Sequence, residues 1–337
     1  MSIITVIGSG AMGSALSFPL RDNDHEVRLV GTMLDRAIIE EVRRSGYHHT
    51  LKRTLPDGVK GYQLEELDAA IEGAELIVCG VSSFGADWFM RDILHRLPPL
   101  PILSVTKGMV LASDGSFISY PALYASKFPG HAFCAIGGPC TSYELADRDQ
   151  THICFCGYDM PLLNTLRDVF RTPYYHISLS ADVIGVECAV ALKNAYALAV
   201  TTAVGMALRN SGIEHYNSQA ALFGQGVREM RKLLALFGGG DDNIVYGAGD
   251  LYVTVFGGRT RLLGTLLGKG IPFQDAVKQL EGVTLESVVI ASRTAQAVRV
   301  KIEQGLVTAD DFPLLLHIDD VINHDAELDI PWEKFTC

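Results

Sequence analysis

Three glycines near the N-terminus form a G-x-G-x-x-G motif directly after an apolar segment, and the motif reads Gly8-Ser9-Gly10-Ala11-Met12-Gly13. In a strand–turn–helix unit the first glycine permits the tight turn, the second lets the backbone approach a pyrophosphate, and the third lets the helix pack closely on the strand. The N-terminus of that helix offers N–H groups and the positive end of its dipole to phosphates. The motif therefore predicts a dinucleotide-binding βαβ unit.

The residues after the second predicted strand, 26–30, bear on which nicotinamide dinucleotide binds. NAD-specific sites usually have Asp or Glu there, roughly 20 residues beyond the glycines, to hold the ribose hydroxyls. This chain has Gly31-Thr32, and its first acid is Asp35. Because an acid would repel a 2′-phosphate, its absence permits NADP, and Arg36 could reach such a phosphate. The pattern slightly favours NADP and leaves NAD open.

Further along the chain, four charged residues are not explained by packing. Lys107 follows a predicted strand, and strand ends of an open α/β sheet are where ligands bind. Lys193 interrupts an Ala-rich apolar helix, where an unpaired ammonium would be costly. Asp250 lies in a Gly-Asp-Leu loop, and Arg259 follows two glycines. A lysine beside a carboxylate can protonate a ketone as hydride arrives, and a guanidinium can bind a phosphate through two parallel hydrogen bonds.

Each of these residues also has a plainer interpretation. Lys193 could extend its ammonium from a helix end to solvent, and Asp250 could only cap a helix. Lys107 could be a solvated loop lysine. Arg261 competes with Arg259 for the role of phosphate ligand, and the sequence does not decide between them.

The elements that must position these residues fall into two regions. The first alternates predicted strands and helices, with strands at 3–7, 26–30, 75–80, 101–105 and 132–136, possible strands at 152–156 and 174–177, and helices at 12–21 and 34–45. The second is mostly helical, with predicted helices at 183–206, 218–237, 284–304 and 314–324. We expect an α/β Rossmann domain with a mostly parallel, doubly wound sheet over residues 1–180, and an all-α substrate-binding domain over 181–337.

Composition narrows the class of protein. A chain of 337 residues with 48% hydrophobic and 20% charged residues suits two globular domains. The formal net charge of −11 disfavours nucleic acid and anionic membranes as partners. Seven cysteines, from Cys79 to Cys337, include no C-x-x-C pair, and the ten histidines show no metal-ligand spacing. We therefore expect no metal, reduced thiols and a cytoplasmic location, with no apolar run of the ~20 residues that cross a bilayer.

The order and spacing of these segments resemble the NAD(P)-dependent glycerol-3-phosphate dehydrogenase family. The resemblance runs from the glycine motif to about residue 297, and it includes the Lys-Gly after the fourth strand, the Gly138-Pro139 turn, the Leu-Lys-Asn helix, the Gly-Asp-Leu loop and the Gly-Gly-Arg segment. It implies a Rossmann domain and a helical substrate domain with the active site between them. It also implies NAD or NADP as cofactor and a small phosphorylated substrate.

The resemblance further implies residue roles. Lys193 matches the catalytic lysine that acts as general acid, Asp250 its carboxylate partner, and Lys107 a second lysine at the substrate. The implied substrate-binding residues are Lys107, Gly138, Asn194, Thr254, Arg259 and Thr260. The implied cofactor-binding residues are Gly8, Ser9, Gly10, Ala11, Met12, Gly13, Thr32, Arg36, Ser82, Lys107, Ser142, Arg259 and Glu286.

Three departures from the family pattern leave the substrate open. Thr260 replaces the usual Asn, Cys140-Thr141-Ser142 replaces the usual serine turn, and Gln225 replaces an arginine. The first hypothesis is hydride transfer between NAD(P)H and dihydroxyacetone phosphate. The alternatives are another polyol phosphate of four or five carbons, a keto- or hydroxy-acid substrate, or a non-catalytic sensor of the dinucleotide. Apolar helices in the second region make a homodimer plausible.

Overall fold

The computed structural model describes residues 1–108 and 110–335, and the chain forms two compact units. The first unit holds residues 1–107 and 119–183, and the second holds the rest of the described chain. The segment 110–118, which the sequence analysis placed in the first domain, packs with the second unit.

The first unit is built on one large sheet. In chain order the strands of the protein are β1 (Ile3–Ile7), β2 (Glu26–Val30), β3 (Tyr47–His48), β4 (Arg53–Thr54), β5 (Val59–Tyr62), β6 (Leu76–Cys79), β7 (Ile102–Ser104), β8 (Val110–Leu111), β9 (Phe117–Ile118), β10 (Phe133–Gly137), β11 (Thr151–Cys156) and β12 (Tyr175–Ser180). Eight of them form the main sheet in the order β12-β11-β10-β7-β6-β1-β2-β5, while β3 pairs with β4 and β8 with β9.

The main sheet is parallel from β5 to β10, and β11 runs antiparallel to β10. Residues pointing to both faces of β6, β7 and β10 are buried, as in parallel sheets that are covered on both sides. The chain order reverses at the boundary between β1 and β6, which is where doubly wound sheets bind ligands beyond the carboxyl ends of their strands. The predicted Rossmann sheet is confirmed, with the addition of β5.

The helices are α1 (Ala11–Ala15), α2 (Ser17–Asp22), α3 (Arg36–Ser45), α4 (Leu67–Ile71), α5 (Ala86–Trp88), α6 (Tyr120–Lys127), α7 (Ser142–Ala146), α8 (Met160–Phe170), α9 (Val183–Ser211), α10 (Tyr216–Leu236), α11 (Ile244–Val255), α12 (Gly258–Gly268), α13 (Phe273–Gln279), α14 (Glu286–Glu303) and α15 (Pro313–Asn323). Helices α9 to α15 and the β8–β9 hairpin make up the second unit. This confirms the predicted helical second domain, to which the structure adds the hairpin.

Helix α9 is the central element of the second unit. It is 29 residues long, and an 18-residue window of it has a mean hydropathy of 1.5, so its length and composition would allow it to cross a membrane. However, 89% of that window is buried inside the structure, as in the core helix of a soluble protein. Glu187 and Lys193 interrupt the apolar sequence of this helix, so the sequence alone predicts no run long enough to cross a bilayer.

Five of the six described cysteines are buried, and Cys140 is partly exposed. All six are free thiols, and Cys337 lies outside the described residues. Burial raises the pKa of Cys79 to about 11 and that of Cys134 to about 12, so both stay protonated at neutral pH.

Close packing of α9 on α12 depends on glycines. A Cβ added to Gly205 would lie 2.1 Å from the Thr265 carbonyl oxygen, and a Cβ on Gly268 would lie 2.0 Å from the Thr202 carbonyl oxygen. Side chains at these positions would collide with backbone, which cannot move aside without shifting a helix. The two helices can approach this closely only because these residues have no side chain.

We expect Gly205→Ala to lower the free energy of unfolding by roughly 1–3 kcal/mol, because it forces α9 and α12 apart. The matched control is Gly224→Ala in α10, where no described atom lies within 4 Å of an added Cβ. There the lower backbone entropy of alanine predicts a gain of about 0.5–1 kcal/mol. Urea unfolding of both variants measures the difference, and equal stability of the two variants would contradict this packing argument.

Candidate active site

A cluster of polar side chains lies where α9 and α11 approach each other in the second unit. The approach occurs at Gly247, because a Cβ there would lie 2.6 Å from the Ala189 carbonyl oxygen. Asp250 and Thr254 follow on α11, four residues apart and therefore on one face. Lys193 lies one helical turn beyond Ala189 on α9, so the close contact of the two helices brings its side chain to that face.

The Lys193 ammonium is held by two acceptors from α11. Its Nζ donates to Asp250 Oδ1 at 3.1 Å and to Thr254 Oγ1 at 2.9 Å. The Thr254 hydroxyl in turn donates to the Asp250 carbonyl oxygen at 2.7 Å, so its lone pairs are available to the ammonium. The side chain of Lys193 is 13% exposed and that of Asp250 is 2% exposed.

This geometry changes two expectations from the sequence. The predicted Gly-Asp-Leu loop is wrong, because Asp250 lies inside α11 and is not a helix cap. Lys193 also does not extend from a helix end to solvent, because it lies in the interior of α9 and pairs with Asp250. The buried ion pair can orient an N–H donor, which is what protonation of a substrate oxygen needs.

The two candidate arginines have different surroundings. Arg261 donates to Glu214 Oε1 at 2.6 Å and to the Val255 carbonyl oxygen at 2.9 Å, and it is 22% exposed. Arg259 lies in the first turn of α12, where its side chain is exposed. Of the two, Arg261 is therefore engaged in holding its own unit together, which favours Arg259 as the ligand of an external phosphate.

The glycine motif of the first unit forms the expected tight turn. Gly8 has a φ of +107°, and a Cβ on Gly13 would lie 2.3 Å from the Gly8 carbonyl oxygen. Gly10 precedes α1, and no described atom lies within 4 Å of a Cβ built on it. The loop therefore has both the close internal packing and the open face that a dinucleotide pyrophosphate requires.

The carboxylate of Asp35, the first acid after β2, reaches this loop. Asp35 Oδ2 accepts hydrogen bonds from the Ser9 N–H at 3.3 Å and from the Thr32 N–H at 2.9 Å. No acid follows β2 before Asp35, as the sequence indicates, and the turn over residues 31–35 brings the Asp35 carboxylate to the glycine loop. Arg36 lies in α3 and pairs with Glu65, with both side chains more than 60% exposed.

The remaining predicted residues of the first unit lie at the carboxyl edge of the sheet. Ser82 follows β6 and is exposed, and Lys107 follows β7. Lys107 Nζ donates to the Gly138 carbonyl oxygen at 3.0 Å, which joins the ends of β7 and β10. Ser142 is the first residue of α7. The structure thus brings Lys107 and Gly138 together at the sheet edge that also carries the glycine loop.

In the second unit, three more predicted residues have known positions. Asn194 is buried next to Lys193 in α9, Thr260 is partly buried in the first turn of α12, and Glu286 begins α14. The Thr260 carbonyl oxygen accepts a 3.4 Å hydrogen bond from Thr201. Asn194 and Thr260 are thus next to Lys193 and Arg259 in sequence and lie on the same helices.

Comparison with known proteins covers both units. Residues 3–162 match the family described as NAD-dependent glycerol-3-phosphate dehydrogenase N-terminus, and residues 182–332 match its C-terminus. The NADP(+)-dependent glycerol-3-phosphate dehydrogenase of Archaeoglobus fulgidus is 34% identical over 283 residues, which is 83% of this chain and 84% of that protein. The glycerol-3-phosphate dehydrogenase [NAD(P)+] of Koribacter versatilis is 30% identical, over 86% of this chain and 85% of that protein.

Solved structures show the same fold at lower identity. The glycerol-3-phosphate dehydrogenase of Coxiella burnetii superposes with a TM-score of 0.80 at 23% identity, covering 99% of this chain and 97% of that one. The enzyme of Plasmodium falciparum gives 0.82 at 19% identity, covering 99% and 95%. Together with the matches in sequence, these findings establish that the chain belongs to the NAD-dependent glycerol-3-phosphate dehydrogenase family, whose members are oxidoreductases that use NAD or NADP.

Proposed function

We propose that the protein interconverts dihydroxyacetone phosphate and glycerol 3-phosphate, with Lys193 as the general acid and base. The observation that carries this proposal is the buried Lys193 ammonium held by Asp250 and Thr254. The names of the relatives, which are glycerol-3-phosphate dehydrogenases, support the substrate.

The chemistry divides between the cofactor and the chain. When bound, the nicotinamide supplies the hydride that reduces the carbonyl carbon of the ketone, and it is oxidised in return. Lys193 donates a proton from Nζ to the carbonyl oxygen, which becomes the hydroxyl of the product. In the reverse direction, the neutral amine takes that proton back. Asp250 and Thr254 keep Nζ in place during both steps, because they accept two of its hydrogen bonds.

The phosphate group needs local positive charge, because the chain as a whole carries a formal charge of −11. We assign the phosphate to Arg259, whose planar guanidinium offers two parallel N–H groups. Lys107 adds a second cation for the substrate, with Asn194, Thr260 and the Gly138 turn as further substrate contacts.

For the cofactor we propose NADPH as the preferred donor, which the name of the Archaeoglobus fulgidus relative supports. The Asp35 carboxylate accepts two backbone N–H bonds, which turn it towards the glycine loop. The Arg36–Glu65 pair is solvent-exposed and therefore contributes little to stability, so Arg36 can leave it for a 2′-phosphate. Thr32, Ser82, Ser142 and Glu286 stay predicted cofactor contacts. A cytoplasmic homodimer stays a prediction as well.

Substrate identity is tested with a panel of dihydroxyacetone phosphate, four- and five-carbon ketose phosphates and keto acids, each with NADH and NADPH. Absorbance loss of the reduced cofactor measures turnover. We expect the highest kcat/KM for dihydroxyacetone phosphate. A higher value for a longer ketose phosphate or a keto acid would assign the protein to that substrate, and no turnover with any phosphorylated ketose would overturn the proposal.

Lys193→Met is expected to lower kcat by about 10²–10⁴-fold, because the reaction loses its proton donor. NADPH affinity, measured by fluorescence titration, is expected to stay within about twofold, and circular dichroism checks the fold. The control is Lys232→Met in α10, which removes an exposed lysine paired with Asp311. If the protein were a sensor without catalytic function, Lys193→Met would not impair its function. If the variant keeps most of the wild-type kcat, Lys193 is not the general acid.

Arg259→Ala is expected to raise KM for the phosphorylated substrate by about 100-fold, because two charge-assisted hydrogen bonds are lost. Arg261→Ala is its matched control two residues away. That variant loses the Glu214 ion pair, so we expect a lower melting temperature and little change in KM. Initial-rate kinetics and thermal unfolding separate the two effects. If Arg261→Ala raises KM and Arg259→Ala does not, then Arg261 is the phosphate ligand.

Arg36→Ala is expected to raise KM for NADPH about tenfold and to leave KM for NADH nearly unchanged, because only NADPH has the 2′-phosphate. Arg44→Ala, at the other end of α3, is the control, since Arg44 is an exposed arginine paired with Glu41 in the same helix. Equal effects on both dinucleotides would contradict the role of Arg36.

A further inference from the structure

A buried histidine that the sequence analysis left without a function contacts the glycine motif. His48 ends β3 and is fully buried, and its Nε2 lies 2.8 Å from the Ser9 carbonyl oxygen. Its Nδ1 accepts a hydrogen bond from the Leu51 N–H at 3.0 Å. Both ring nitrogens therefore have backbone partners, one in the glycine loop and one in the histidine's own turn.

These two partners determine the protonation of the ring. A carbonyl oxygen can only accept, so Nε2 must carry a proton, and the Leu51 N–H can only donate, so Nδ1 must be unprotonated. The ring is therefore neutral, with its proton on Nε2. Burial lowers the pKa of His48, which agrees with a neutral ring, although the hydrogen bond to Ser9 acts in the opposite direction. Of the neighbouring charges, His49 lowers the pKa and Asp35 raises it, both by smaller amounts.

Ser9 is thus held on both sides. Its N–H donates to Asp35 Oδ2 at 3.3 Å, and its carbonyl oxygen accepts from His48. In a planar trans peptide the C=O and the following N–H point in opposite directions. The hydrogen bond from His48 to the Ser9 carbonyl oxygen therefore directs the Gly10 N–H away from the histidine. Gly10 is the residue of the motif whose backbone approaches a pyrophosphate.

We propose that His48 is a positioning residue for the dinucleotide, which fixes the Ser9–Gly10 peptide in the orientation that the phosphates bind. The proposal rests on dinucleotide binding at the glycine motif but not on the identity of the substrate. Preformed N–H groups bind a phosphate more tightly than groups that must first be ordered, because the ordering cost has already been met in folding. Loss of the Nε2 proton donor should therefore weaken cofactor binding and leave the chemical step intact.

Two amide variants test the hydrogen bonds of the two His48 ring nitrogens separately. The amide of glutamine reaches the position of Nε2, so His48→Gln can still donate to the Ser9 carbonyl oxygen. The amide of asparagine reaches only the position of Nδ1, so His48→Asn can still accept from Leu51 but cannot reach Ser9. A purely structural role in the β3–β4 turn predicts that asparagine is the better replacement. A role in the glycine loop predicts that glutamine is.

The experiment measures NADPH binding by fluorescence titration and steady-state kinetics for both variants, with His49→Asn as the neighbouring control. We expect His48→Asn to raise Kd and KM for NADPH by about tenfold or more, with kcat at saturating cofactor nearly unchanged, and His48→Gln to stay within about threefold of wild type. Equal binding by both variants, or better binding by His48→Asn, would overturn the proposal. Since binding is measured directly, the result stands even if the proposed substrate is wrong.

NMR of the ring nitrogens provides a second test. The ¹⁵N resonances of His48 are identified in histidine-labelled wild-type protein as those that are absent from the spectrum of His48→Gln. They should show a neutral ring with its proton on Nε2 at neutral pH, and they should shift when NADPH is added. A His48 ring that is charged, or that carries its proton on Nδ1, would refute the proposed hydrogen bond to Ser9.

Discussion

The chemistry of the second unit depends on one buried ion pair, between the Lys193 ammonium and the Asp250 carboxylate. Removing two such charges from water costs on the order of several kcal/mol per ion, and their attraction offsets this only with good geometry and further hydrogen bonds. Thr254 provides such a bond, and Gly247 lets α11 come close enough to α9 to form it. Replacing a buried ion pair with apolar residues often leaves the stability of a protein unchanged or raises it. The presence of this pair in the middle of α9 is therefore better explained by function than by stability.

Close backbone contact at a glycine also occurs in the glycine loop of the first unit. In both units a glycine permits backbone approach that any side chain would prevent, at Gly13 against Gly8 and at Gly247 against Ala189. In each unit, a polar group near the glycine contact is held by two hydrogen bonds. In the second unit this group is the Lys193 ammonium, and in the first it is the backbone of Ser9. Rigid placement of polar groups before a ligand arrives is what both binding of phosphates and proton transfer require.

Much of the fold could be predicted from the sequence, because it depends on local patterns. The apolar runs of β1, β6 and β10 and the long helices α9 and α14 are visible as such. The sequence does not predict β5, because none of the residues Val59–Tyr62 is fully buried and they include an exposed lysine and a glycine. The sequence predicts a loop in place of α11, because Gly247 and Gly249 have weak helix propensity, whereas packing against α9 stabilises the helix in the structure. The contacts of Asp35 and His48 with Ser9 join residues far apart in sequence, and no local pattern reports them.

Two of the departures from the family pattern, Gln225 and Thr260, lie in different surroundings in the structure. Gln225 donates to Glu229 Oε1 at 2.8 Å, and Glu229 also accepts from the Leu314 and Leu315 N–H groups that begin α15 and from the Tyr196 hydroxyl. Burial raises the pKa of Glu229, while its hydrogen bonds act in the opposite direction. Gln225 therefore lies in the helical core, where its amide nitrogen is bound to Glu229 and its amide oxygen has no hydrogen-bond partner among the described residues. Thr260 is different, because it follows Arg259 in the first turn of α12 and lacks the amide donor and acceptor groups that an asparagine would present. Of these two departures, Thr260 is therefore the one that we expect to affect the choice of substrate.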